Sequence, residues 1–129
     1  RYIKNRFHSN VYSIRFPYIG DSQFLLPERS RQIEADTTFG SNDFWSYIDI
    51  NDAVFAIETL IDEIPMLSDP VLTVVAPNTL AKTPTEYLLN KHFPQLSDRP
   101  VFMDFESVFE PSVLLGRTSF QFKNLFPNG

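Results

Sequence analysis

Cysteine is absent from the 129 residues, histidine occurs twice and glycine four times. Without cysteine there is no disulfide framework, no thiolate nucleophile and no cysteine zinc site, and His8 and His92 are too few for an all-histidine one. Such usage suits a reducing cytoplasm, the expected location. The glycines, Gly20, Gly40, Gly116 and Gly129, are too scattered for a phosphate-cradling loop, so neither a P-loop nor G-x-G-x-x-G exists in the chain. A G-x-S-x-G nucleophile elbow is missing as well. No apolar run approaches the roughly 18 residues that span a bilayer, and the N-terminus lacks the apolar stretch of a signal peptide. Basic charge is also scarce. Eleven Lys and Arg against sixteen Asp and Glu leave a net charge of −5, which removes the diffuse phosphate attraction behind nucleic-acid binding. Neither nucleic acid nor membrane is an expected partner.

What is present fits one small domain or part of a larger one, and residues 1–129 read as a single segment. The chain opens on Arg1 inside a basic, helix-compatible stretch to His8, closed by Ser9 and Asn10, and the expectation is of more chain upstream. Val11 to Phe16 alternates as a strand, and Pro17 ends its ladder because it has no N–H to give. Tyr18 to Asn42 is polar, without a sustained period, and is expected to be a long loop with a short helix near Pro27 to Ile33. Phe44 to Ile50 is a short extended stretch. At Asn51, the expected N-cap, the period changes to 3.6, and Ala53, Ile57, Leu60, Ile61 and Ile64 form one apolar stripe. Pro65 stops that helix and Met66 to Pro70 form a return loop. Val71 to Ala76 is a continuous apolar, β-branched run, the signature of a strand covered on both faces in a parallel sheet. Thr83-Pro84-Thr85-Glu86 spells a capping box for a helix ending near Phe93. A last helix is expected within Asp104 to Leu115, and the tail from Phe120 is expected to be loosely attached.

The order of elements is α/β, but two strong strands are too few for a sheet with two covered faces. The economical reading is that they complete a larger sheet whose other strands lie upstream of Arg1.

At this point the residues resemble a family, the extended short-chain dehydrogenases/reductases, or NAD-dependent epimerase/dehydratase family. Val11-Tyr12-Ser13-Ile14-Arg15-Phe16-Pro17-Tyr18-Ile19-Gly20 resembles its strand and turn ending in R-F/Y and Gly. Tyr47-Ile48-Asp49-Ile50-Asn51-Asp52-Ala53 is similar to its Y-[IV]-[HD]-V-x-D-[VA]-A segment. Leu72 to Pro77 looks like its late strand, Thr83 to Pro94 like the helix that follows, and Leu114-Leu115-Gly116 like its C-terminal L-L-G. The resemblance implies the C-terminal portion of a Rossmann-type fold: the last sheet strands plus a small substrate-binding subdomain. It implies NAD or NADP as cofactor, a small-molecule substrate, a catalytic Y-x-x-x-K and a glycine-rich loop upstream of Arg1, and a homodimer formed mainly through Rossmann helices. Pro17 and Tyr18 are carried over as backbone neighbours of the nicotinamide, and Asp21 to Asn42 as a substrate lid. Nucleotide-sugar members carry Arg-Asp where this chain has Trp45-Ser46, and a diphosphate would lose a charged partner there.

Further residues each have two readings. Arg29 and Arg31 either clamp an anionic substrate or, beside Glu28 and Glu34, simply solvate. Trp45, with Tyr47 beside it, either lines a substrate pocket or packs the core. Tyr87 to Lys91 spells Y-x-x-x-K, but after the last strand and behind a capping box, where Lys91 and His92 suit a helix C-terminus. Asp49 and Asp52 read as turn and helix-dipole residues rather than an acid–base pair. The rival to the dehydrogenase reading is a stand-alone α/β binding or interaction module without a cofactor.

Overall fold

The computed structural model describes residues 13–63, 71–110, 115 and 118–128. The expected helix over Arg1 to His8, the loop Met66 to Pro70, Pro111 and all but Leu115 of the Leu-Leu-Gly motif lie outside them. The described residues form a mixed α/β architecture of short parallel strands and three helices. None of those helices is long and apolar enough to cross a membrane.

Strand β1 (Ser13–Arg15) is followed by Phe16 and Pro17 and then by β2 (Tyr18–Gly20). Helix α1 (Leu25–Ala35), β3 (Tyr47–Asp49), α2 (Ile50–Glu63), β4 (Val71–Thr73) and α3 (Thr85–His92) complete the order. Two separate ladders result, both parallel. β1 pairs with β4 in the register Ser13↔Val71 to Arg15↔Thr73, and β2 pairs with β3 in the register Tyr18↔Tyr47 to Gly20↔Asp49. The apolar run after β4 joins them: Val74 N–H donates to Arg15 O, Ala76 N–H to Tyr47 O and Leu80 N–H to Trp45 O. One continuous stretch therefore passes from the edge of the first ladder to that of the second; the strand itself is only Val71–Thr73, with Thr73 exposed, and the buried residues Val74, Val75 and Ala76 follow it. The other edge of β1 has no strand partner among the described residues.

Two cores follow. Leu26, Ile33, Trp45, Tyr47, Ala76, Leu80, Ala81, Leu88 and Leu89 pack between α1, β3 and α3. Ile48, Ala53, Ala56, Leu60, Leu72, Val74 and Phe120 pack beneath α2.

Several sequence expectations are corrected. The stretch Tyr18 to Asn42 is not one long loop: it contains β2, and the short helix expected near Pro27 to Ile33 is present and longer, eleven residues over Leu25–Ala35, opened by Asp21, whose carboxylate accepts from the N–H groups of Gln23, Phe24 and Leu25. Pro27 is tolerated because it lies in the first turn, where its missing N–H breaks no helical bond. Helix α2 starts at Ile50 rather than after an Asn51 cap, and Asp49 Oδ1 takes the Asn51 N–H at 2.7 Å. Its buried face is Asp52, Ala53, Ala56, Thr59 and Leu60. Ile57 and Ile61 instead join Ile50 and Val54 in an exposed apolar stripe.

The capping box does not form. Pro84 occupies the cap position with no side-chain bond, and Glu86 is taken by the Arg99 guanidinium and the Phe102 N–H. Residues 104–110 are not helical, because their backbone groups bond elsewhere: Thr85 N–H to Asp104 O, Thr79 N–H to Phe105 O and Ser107 N–H to Pro77 O. The tail is firmly held rather than loose. Phe120 is 1% exposed, Asp52 accepts from the Lys123 N–H, the Asn124 N–H and Asn124 Nδ2, and Asn128 Nδ2 donates to the carbonyls of Thr79 and Ala81.

Candidate functional site

The parallel ladders place the turn Phe16-Pro17 at the carboxyl end of β1, the side of a parallel sheet on which α/β proteins bind ligands. Tyr18 opens β2 directly after that turn. From α1, Arg29 reaches back so that its Cζ lies 4.3 Å from the Tyr18 ring centroid and 4.8 Å from that of Phe39. A guanidinium at these distances is held by the electron-rich ring faces. Asp43 Oδ2 stands 3.6 Å from Arg29 Nη2.

The segment that brings Phe39 and Asp43 here is strained. Gly40 sits at φ 82°, Ser41–Asp43 is a single 3-10 turn, and Phe44 and Trp45 are both left-handed at φ 55° and 59°. Two consecutive non-glycine residues in that region cost roughly 1–2 kcal/mol each. Trp45 supplies the compensation: it is fully buried, its Nε1 donates to Thr37 O at 2.8 Å, and its ring packs against His92 and Phe93. The sole tryptophan is thus a core anchor for the loop.

Beside this cluster lies a cleft of about 510 Å³ lined by Arg29, Asp36, Thr38, Phe39, Gly40, Asn42 and Asp43, a volume within the usual range for small-molecule sites. Its charges are uneven in character. Burial pushes the Asp43 carboxyl above its ordinary range, and the opposing pull of Arg29 does not cancel it. Asp43 Oδ1 is buried with no partner among the described residues. Asp36 is held below the usual range, chiefly by the N–H and hydroxyl of Thr38 and further by the nearby charges of Lys91 and His92. Behind the cleft, Thr37 Oγ1 lies 2.7 Å from His92 Nε2 and 3.5 Å from Lys91 Nζ, tying the loop to α3.

The structure therefore brings Tyr18 and Arg29 together and separates the other candidates. Arg31 is exposed and pairs with Glu28 at 2.7 Å on its own helix. Two residues apart on a helix point about 200° apart, so Arg29 and Arg31 do not face one ligand. Trp45 and Tyr47 are both wholly buried, and their polar atoms are spent inside the protein. The Tyr47 hydroxyl donates to Asn78 Oδ1 and accepts from the Phe126 N–H, each at 2.7 Å, and burial lifts its pKa to about 12. Phe39, Asp36 and Asp43 escaped the sequence reading. The turn signals Gly40 and Asn42 mark where the chain reverses there, but not which side chains the reversal turns toward Arg29. Among the described residues no three His, Asp or Glu side chains gather as a metal set.

Comparison with known proteins yields no relative: no family model, no curated protein and no solved structure matches the chain.

Proposed function

We propose that this chain is the substrate-binding portion of an NAD(P)-dependent epimerase, dehydratase or reductase of the extended short-chain dehydrogenase/reductase type. The observation that carries the reading is the pair of parallel ladders joined through Pro17, with β1 paired, among the described residues, along one edge only. Parallel strands normally lie inside a sheet covered on both faces, and a two-stranded parallel ladder is marginal by itself. A preceding α/β part that adds strands to the free edge of β1 completes it. The exposed stripe Ile50, Val54, Ile57 and Ile61 on α2 agrees with a chain that has further surface to cover.

On this reading the dinucleotide lies against the half-buried turn Pro17-Tyr18, where Pro17 contributes a carbonyl and no N–H. Pro17 and Tyr18 would then flank the nicotinamide, and the phosphates would need a glycine-rich loop that this sequence does not contain. The bound cofactor supplies hydride exchange. The chain's own residues form the other wall: Arg29 and Phe39 hold the small-molecule substrate in a cleft that Asp36 and Asp43 also line, and the helix-bearing segment from Asp21 to Asn42 covers it. The catalytic tyrosine and lysine belong to the preceding part, as do the helices through which two copies would pair.

The test is a fluorescence titration of NADH and NADPH into the polypeptide that carries this chain with its preceding part. Saturable binding of either nucleotide supports the reading. No binding of either nucleotide removes it and leaves a cofactor-free binding module.

A further inference from the structure

Arg29 is positioned without being satisfied. Tyr18 and Phe39 fix its guanidinium between two rings, yet it makes no hydrogen bond among the described residues, and Asp43 at 3.6 Å lies beyond hydrogen-bond distance. A guanidinium carries five donors in a planar fork that matches a carboxylate or phosphate edge to edge. Asp43 is a poor internal substitute for such a ligand. Its Oδ1 is buried and has no partner among the described residues, and burial disfavours its charged form more strongly than Arg29 favours it. Asp36, the other carboxylate of the cleft, is engaged with the Thr38 N–H and faces Lys91 and His92 of α3.

We propose that the cleft is an oxyanion site in which the carboxylate or phosphoryl group of a small ligand replaces Asp43 as the in-plane partner of Arg29. The rest of such a ligand meets Phe39, Thr38 and Asn42. The proposal rests on the reading of this cleft as the substrate side, and narrows it to substrates bearing an acidic group. Arg29 is the specificity-determining residue, and Asp43 is its resident competitor.

The experiment is calorimetric titration of the full chain, without nucleotide, with propionate and separately with inorganic phosphate at an ionic strength held constant by chloride. Binding of either anion is expected, and which one binds distinguishes a carboxylate from a phosphoryl ligand. Arg29→Gln weakens it at least about tenfold, whereas Asp43→Asn, equal in size, tightens it about threefold by removing the competing charge. Opposite signs from two neighbours are the signature, since a purely structural pair would lose binding in both variants. Should Arg29→Gln fail to fold by circular dichroism, Arg29→Lys keeps the charge without the fork and is expected to weaken binding about tenfold. The proposal is overturned if neither anion binds, if the Arg29 variants bind as well as the parent, or if Asp43→Asn binds less. Because no nucleotide is present, each of these results leaves the cofactor reading standing, and failure of the NADH titration leaves the anion result standing.

Discussion

Asp52 is the residue whose removal reaches furthest through the fold. It is 2% exposed in the first turn of α2, and its two oxygens accept from Lys123 N at 3.2 Å, Asn124 N at 3.1 Å and Asn124 Nδ2 at 2.9 Å. These bonds span more than seventy residues of sequence and pin a tail that also carries Phe120 into the core. Hydrogen bonds to a charged partner contribute about 1.5–3 kcal/mol each when broken singly. The freed donors at 123 and 124 are only half-buried and regain water, so the net cost of Asp52→Ala is about 3 kcal/mol, including roughly 0.5 kcal/mol from the helix dipole. For a domain of this size that corresponds to a fall in Tm of about 12 °C. Urea unfolding followed by Trp45 emission measures the energy, and tryptic cleavage after Lys123 under native conditions measures release of the tail. Asn124→Ala, which removes one of the three bonds, should cost about 1 kcal/mol. If Asp52→Ala loses less than about 0.5 kcal/mol and Lys123 stays as resistant as in the parent, the tail is not held as argued.

Other outcomes follow from the same geometry. Tyr47 has a folded pKa raised to about 12, so its protonated form contributes stability that is complete below pH 10 and is lost as pH climbs from 10 toward 12, on the order of 3 kcal/mol in all. Absorbance at 295 nm should show one of the five tyrosines titrating last, together with unfolding, and Tyr47→Phe should abolish that late step. Asp43, also raised, works at the opposite end of the scale. Its protonated form favours the fold at low pH, and that contribution disappears as pH rises through the raised pKa, so Asp43→Asn should stabilise the protein at pH 7 and make no difference near pH 3. Gly40→Ala places a Cβ at φ 82°, 3.3 Å from Trp45 Cδ1, and should cost about 1–2 kcal/mol in a thermal melt. Arg31→Ala, by contrast, breaks only an exposed pair and should stay within about 0.5 kcal/mol of the parent.

Local signals in the sequence carry the parts of this structure that local physics decides. The 3.6 period from Asn51 marks α2, while the β-branched run Val71 to Ala76 is strand only over Val71–Thr73, with Thr73 exposed, and the buried part, Val74 to Ala76, continues it as non-strand chain. Helix α1 is legible only as a short helix near Pro27 to Ile33, because Pro27 and the polar stretch Glu28 to Gln32 leave Leu25, Leu26, Ile33 and Ala35 as its few apolar positions and do not mark its ends. The capping box failed for a different reason. Glu86 finds Arg99, thirteen residues away and only 15% exposed, and that partner outcompetes a helix-end N–H. The tail was misread because its anchors, Asp52, Tyr47 and Asn78, are distant in sequence and individually ordinary. At the cleft, the arginine was legible and its setting was not: Gly40 marks the turn, but Phe39 and Asp43 reach Arg29 only because the chain goes on through left-handed Phe44 and Trp45, which no propensity favours. The stripe on α2 shows the same limit, since Ala56 takes the core position that Ile57 would fill on composition alone.

The central claim is that β1 and β4 are the last strands of a larger nucleotide-binding sheet. The most direct measurement is the intact mass, with N-terminal sequencing, of the polypeptide as its own cell makes it. The account predicts a product longer by about one Rossmann domain, in which a strand leads into a glycine-rich turn upstream of Arg1. A product that begins within a few residues of Arg1 would contradict it, leaving no phosphate loop and no upstream tyrosine.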